Sequence, residues 1–218
     1  MSVICTCEFL MANRAYISTV VANRRFRRQA GKKPQRRVIL IVCEGQTEEA
    51  YFRAVREYHG RAMPFNIEIK RAPHPDPVKV VEKGKEMNRD RDRDRDKGND
   101  YDCVYCVVDG DKPDRIKQAL KHIRLSDDLY LMVSTPCFEV WLLLHFDRSD
   151  APLASCEQAI VRLQRHLPNY AKGLHYNFTP LADRMDVAIE NAVWLAAQKL
   201  NNPATDLHLL LSIIRTVP

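Results

Sequence analysis

The sequence predicts an α/β protein built around a parallel sheet, and three observations carry that reading. Val38–Cys43 and Cys103–Val108 are continuous apolar runs, the pattern of strands buried on both faces rather than the alternation of half-exposed ones. Strand-like runs alternate with helix-like segments in the order β-α-β-α-β-α-β over about residues 37–135, which folds as a parallel core with right-handed crossovers. Each of the two apolar runs also ends at once in acids: Glu44-Gly45-Gln46-Thr47-Glu48-Glu49 after the first, Asp109-Gly110-Asp111 after the second.

The elements follow in order. Residues 37–43 form the first strand. Thr47 is expected to cap a helix running to about Tyr58, with Glu48 and Glu49 in its first turn, where the helix dipole favours anions. Phe65–Arg71 alternates in polarity and reads as a half-exposed strand near an edge. Asp76 caps a helix from Pro77 to about Asn88, with proline at the first helical position. The Arg-Asp alternation over residues 89–96 reads as a solvated helix extension or loop. A strand at 102–108, a helix opened by Pro113 or Asp114 and a strand at 129–134 complete the core. Beyond Pro136, helices are expected over 138–146, 156–167, 180–199 and 204–215. The clearest stripe is Val187, Ala188, Asn191, Ala192, Leu195 and Ala196. The organisation expected is a basic arm over 1–36 and one α/β domain over 37–218, whose part from about 138 is a helical cap.

The chain has 218 residues, a net charge of +6 and seven cysteines. No apolar run is long enough to span a membrane, and Glu8, Asn13 and Arg14 break any signal-peptide layout, so a cytoplasmic location is expected. The cysteines then read as free thiols. Cys103 and Cys106 have zinc-like spacing, but residues three apart on a strand point to opposite faces and do not grip one metal. The basic residues are concentrated at the start: Arg14, Arg24, Arg25, Arg27, Arg28, Lys32, Lys33, Arg36 and Arg37 stand against Glu8 alone. Such an arm serves either as a phosphate-gripping handle or as a solubilising tail. No glycine-rich phosphate loop with Gly-Lys-Ser/Thr is present, so ATP hydrolysis by this chain is not expected.

The acids carry the chemistry. In open α/β sheets ligands bind outside the carboxyl ends of the strands. Glu44, Asp109 and Asp111 gathered there would repel one another without a cation, and hard carboxylate oxygens suit Mg²⁺ or Mn²⁺. Glu48, Glu49 and Glu139 are candidates for further metal ligands, and Lys172 for a positive charge on a phosphate. Trp141, Leu142, Leu143 and Phe146 read as core, and His145 as a packed histidine.

Val-Cys-Glu-Gly-Gln-Thr-Glu-Glu-Ala-Tyr-Phe (42–52), Val-Val-Asp-Gly-Asp (107–111) and Thr-Pro-Cys-Phe-Glu-Val-Trp-Leu-Leu-Leu-His-Phe (135–146) together resemble the RloB-like family. Tyr170-Ala171-Lys172-Gly173 and Asn202-Pro203-Ala204-Thr205 are similar to its later landmarks. The resemblance implies a Toprim-like fold, with Glu44 as the conserved-type glutamate of that fold and Asp109 and Asp111 as its Asp-x-Asp pair on Mg²⁺. It further implies a bacterial defence setting and an ATPase partner. The function expected is therefore a metal-dependent nuclease acting on DNA or RNA. Two alternatives stand beside it: a catalytically silent nucleic-acid-binding or partner-docking subunit that keeps the fold without turnover, and nucleotidyl transfer on the same metal site.

Overall fold

The direction in which each crossover leaves its strand decides where the site can form. The computed structural model describes residues 37–60, 63, 65–92, 101–123 and 128–215. The basic arm, Arg24 to Arg36, lies outside the described residues, as do the side chain of Arg37 and the Arg-Asp run from residue 93 onward. The elements β1 (Arg37–Cys43), α1 (Gln46–His59), β2 (Phe65–Arg71), α2 (Pro77–Asp92), β3 (Cys103–Asp109), α3 (Pro113–His122) and β4 (Leu129–Thr135) alternate as expected. They form a sheet of order β2-β1-β3-β4-β5, in which the four long strands are parallel.

The chain leaves β1 toward β2, then crosses back over β1 to β3 and continues to β4. Right-handed crossovers put α1 on one face and α2 and α3 on the other. Alternate strand residues divide accordingly. Ile39, Ile41, Tyr105, Val107 and Met132 pack with Tyr51, Phe52 and Val55 of α1. Leu40, Val42, Val104, Val108 and Leu131 pack with Val80 and Val81 of α2 and Ile116 and Ala119 of α3. Cys103 packs against the first of these cores and Cys106 lies in the second, so the pair does face opposite ways. The reversal of direction falls between β1 and β3. Their outgoing connections diverge, and a crevice opens at their carboxyl ends.

After β4 the chain adds α4 (Glu139–Leu143), α5 (Cys156–Leu163), α6 (Thr179–Asp183), α7 (Met185–Ala197), the short β5 (Ala204–Thr205) and α8 (Leu207–Arg215). These helices share the core on the α1 face. Three details differ from the sequence expectation. The 180–199 segment is two helices meeting at Arg184. The last segment begins as a strand. Thr205 pairs antiparallel with Ser134, their hydroxyls 2.8 Å apart, and Asp206 accepts from Val133 N–H at 3.2 Å while its own N–H donates back at 3.0 Å. This closes the outer edge of β4. Finally, α7 buries Met185, Ala188, Ile189, Asn191, Ala192 and Leu195, whereas Val187 and Ala196 face solvent. No helix among the described residues is long and apolar enough to cross a membrane.

On the opposite face Asp76 ties α2 to α3. Its Oδ1 accepts from Val78 and Lys79 N–H at 3.0 and 3.2 Å, and its carboxylate forms a two-point pair with Arg115 at 2.6 Å in each arm. Asp76→Ala is expected to lower stability at pH 7 by about 1–2 kcal/mol, the range of a lost helix cap. The Arg115 guanidinium holds the Asp76 carboxyl below its ordinary range. Its contribution is therefore full above the unfolded value near 3.9 and is lost as pH falls through the folded value. Urea denaturation should separate wild type from variant at pH 7, and the gap should narrow as pH falls through the folded value.

Candidate active site

Parallel register sets Cys43 opposite Val107, so the residues just beyond meet across the switch point. Glu44 N–H donates to Val107 O at 3.1 Å, and Glu44 Oε2 accepts from Asp109 N–H at 3.0 Å. Asp109, the last residue of β3, accepts from Phe138 N–H through Oδ1 at 2.8 Å and from Lys172 Nζ through Oδ2 at 2.9 Å. The turn after it is tight. Gly110 N–H donates to Ser134 O at 2.8 Å, and a Cβ at Gly110 would lie 2.3 Å from Thr135 Oγ1, so only glycine fits.

Glu139 enters from the cap and is fully buried. Its Oε1 accepts from Tyr170 O–H at 2.7 Å and its Oε2 from Lys172 Nζ at 3.4 Å. The loop carrying Lys172 is tied to the start of α1. Gly173 N–H donates to Thr47 Oγ1 at 3.4 Å, and the Gln46 amide, oriented to satisfy both its groups, donates to Gly173 O at 2.6 Å. Glu48 is buried and folds back over Gly45, where an added Cβ would meet its Oε2 at 2.7 Å.

Glu44, Glu48, Asp109, Glu139 and Lys172 thus come together as the sequence suggested. Two of the expected ligands do not. Glu49 pairs with Arg53 at 2.7 Å and Arg71 at 3.8 Å, because successive helical residues are rotated by about 100° and Glu48 takes the crevice side. Asp111 is exposed beyond the Gly110 turn and reaches Glu44 only through space. Thr47 is not the cap either: Gly45 holds the extended N-cap position, and Thr47 is buried against the Lys172 loop instead. His145 is a core residue. Its Nδ1 faces a carbonyl, Trp141 O at 3.0 Å, and so carries the proton, leaving Nε2 to accept from Tyr51 O–H at 3.0 Å. Burial holds its pKa down at about 4, so it stays neutral. Tyr170 is the site residue that spacing alone does not reveal. Its signal in the sequence is its place in the Tyr170-Ala171-Lys172-Gly173 stretch that carries part of the family resemblance.

Burial dominates the electrostatics. It pushes Glu44 up to about 7, against the Asp109 N–H bond that favours the charged form. It pushes Glu48 up to about 8, with the Asp109 charge adding to the effect. Asp109 is also raised by burial, in spite of Lys172. Partial burial works against the Lys172 ammonium, but Asp109 and Glu139 outweigh it and hold its pKa above the ordinary lysine value. The donors fit Mg²⁺ or Mn²⁺ in kind: they are hard oxygens, poor in water, whose anionic forms a cation would favour. Their geometry is open. Among the described residues no three or more His, Cys, Asp or Glu side chains converge as a ready metal cage, and Lys172 stands between two of the carboxylates.

A folded-state pKa above the unfolded value near 4.3 means that the fold prefers the protonated acid. That stability is full below the unfolded value and is lost as pH rises through about 7 for Glu44 and about 8 for Glu48. Glu48→Gln should therefore raise the melting midpoint in EDTA at pH 9 by several degrees and change it little at pH 5, each kcal/mol moving it by about 2–4 °C in a chain of this size. Lys172→Met should act the other way, costing about 1–3 kcal/mol at pH 7 because Asp109 and Glu139 lose their counter-charge. Thermal denaturation followed by circular dichroism across that pH range reads both effects.

No curated protein and no solved structure matches this chain. A family model described as RloB-like protein matches residues 39–214, from the first strand to the last helix. That span takes in Glu44, Asp109, Glu139 and Lys172 together, and the chain belongs to the RloB-like protein family.

Proposed function

We propose that this chain is a metal-dependent nuclease that cleaves phosphodiester bonds of nucleic acid at the crevice between β1 and β3. The observation that carries the reading is the gathering of Glu44, Glu48, Asp109 and Glu139 in a water-poor crevice with Lys172 among them. Crowded, desolvated carboxylates are costly unless they serve a cation. Membership of the RloB-like family supports the reading, and is also what supports a role in bacterial defence beside an ATPase partner.

Glu44 and Asp109 would hold Mg²⁺ or Mn²⁺, with Asp111 joining from its exposed turn and Glu48 and Glu139 as further donors. When bound, the ion supplies Lewis-acid polarisation of the phosphate and a water of lowered pKa. The chain's own groups do the rest. Backbone N–H groups of Asp109 and Phe138 hold two of the carboxylates in fixed orientations. Lys172 offers the positive charge that an acidic crevice needs to admit a phosphate and to offset charge building on it. Glu48, pushed up to about 8, is protonated near neutrality in the free site and would give up that proton on joining the ion.

A second reading, a catalytically silent binding or docking subunit, has one observation in its favour. Lys172 already balances Asp109 and Glu139, so the cluster is tolerable to the fold without an ion. Incubation of purified protein with plasmid DNA and with RNA in Mn²⁺ separates the two. The nuclease reading expects cleavage that EDTA abolishes and that Asp109→Asn and Glu139→Gln each lower by about a hundredfold or more, with melting midpoints close to wild type. Uncut substrates under all metal conditions would favour the silent subunit.

A further inference from the structure

A cavity in the cap is lined by none of the acids of the crevice. It has a volume of about 230 Å³, well beyond the needs of a single water or a lone phosphate. Its floor is aliphatic, formed by Val140, Leu143 and Leu153, and its rim carries Arg148, Arg162 and Arg165. Asp147 also reaches the rim, but His166 Nε2 binds its Oδ2 at 2.8 Å. Among the described residues no carboxylate pairs with any of the three arginines. Arg148 is fixed instead by Asn191 Oδ1 at 3.1 Å and lies over the Trp194 ring, 5.6 Å from its centroid.

Like charges gathered around a concave space repel one another unless an anion joins them. Guanidinium groups bind phosphate oxygens two at a time, and an apolar floor beside them suits the face of a base. The neighbouring surface continues the theme. Phe146 and His166 stack at 4.6 Å, and Arg184 lies 5.0 Å over the Phe146 ring. The Phe146 ring, in contact with both, braces Arg184 as a further cation beside the arginine rim.

We propose that this cleft docks single-stranded nucleic acid, one nucleotide unit resting its base on the aliphatic floor and its flanking phosphates on Arg162, Arg165 and Arg148. The proposal rests on the nuclease reading only for the class of the polymer, and it locates the strand's grip on the cap rather than at the metal-binding acids. Charge supports it: the acidic crevice repels phosphates, so a strand needs a cationic hold elsewhere on the same molecule.

The test is fluorescence anisotropy of 5′-labelled single-stranded 12-mers of DNA and RNA, in EDTA, with the full chain. Arg162→Ala/Arg165→Ala should raise Kd at least tenfold and flatten the plot of log affinity against log salt by about 1.4, the share of two phosphate contacts on a single strand. Arg162→Gln/Arg165→Gln should do the same, which covers any folding defect of the alanine pair. Lys79→Ala/Lys121→Ala, on the opposite face of the sheet, should change Kd less than twofold. Trp194 emission should shift on binding in wild type and not in the arginine variants. The proposal is overturned if wild type binds neither 12-mer or the arginine variants bind as wild type does. It also falls if Lys79→Ala/Lys121→Ala loses as much affinity as the arginine variants, or if adenosine monophosphate or inorganic phosphate competes as well as the strand. Cleavage with unchanged binding in the arginine variants sinks the cleft and spares the nuclease. Arginine-dependent binding without cleavage does the reverse.

Discussion

Lys172 Nζ lies 2.9 Å from Asp109 Oδ2 and 3.4 Å from Glu139 Oε2, and this shared ammonium ties an acid of the sheet to an acid of the cap. Asp109 belongs to the sheet and Glu139 to the cap. Both are deprived of water, as are Glu44 and Glu48 beside them. Without a cation between them the carboxylates would push the cap from the carboxyl edge of the sheet. Lys172 is fixed from a third direction, since its loop is anchored on Thr47 and Gln46 at the start of α1. The clustered acids are therefore also a junction between sheet and cap, and a divalent ion arriving there would compete with Lys172 for the same oxygens.

The position of the cluster follows from topology before any side chain is considered. β1 sends the chain one way across the sheet and β3 sends it the other, so the space beyond their ends is left uncovered by connections. What closes it is the segment after β4. Phe138 N–H reaches Asp109 at 2.8 Å, and Tyr170 reaches Glu139 at 2.7 Å. The cap is in turn held on the α1 face by apolar packing around a neutral polar link, in which His145 joins the Tyr51 hydroxyl to the Trp141 carbonyl.

Most of this architecture was legible in the chain because burial writes itself into patterning. β1 and β3 are apolar without interruption since both their faces are covered, and β2 alternates since it lies at the edge. Glu44 and Asp109 were legible for the same reason: they are the first acids after buried strands. The failures share a different cause. Glu48 and Glu49 are adjacent, and nothing local says which of them turns inward. Asp111 is separated from Asp109 by a glycine turn whose tightness is set by Thr135, a residue of another strand. β5 is too short to have a period, and its strand character comes from pairing with Ser134. Tyr170 matters through Glu139, 31 positions away. Where a residue's role depends on a partner remote in sequence, the pattern around it is silent.

If Glu44 and Glu48 are protonated near neutrality because they are buried, a metal that uses them must displace their protons. Calorimetric titration of Mn²⁺ into the protein at pH 7, repeated in buffers of different ionisation enthalpy, measures that release directly. The account predicts saturable binding with about one to two protons released per ion, a number that falls in Glu44→Gln and Glu48→Gln. Absence of binding, or binding whose heat is the same in every buffer, would contradict it.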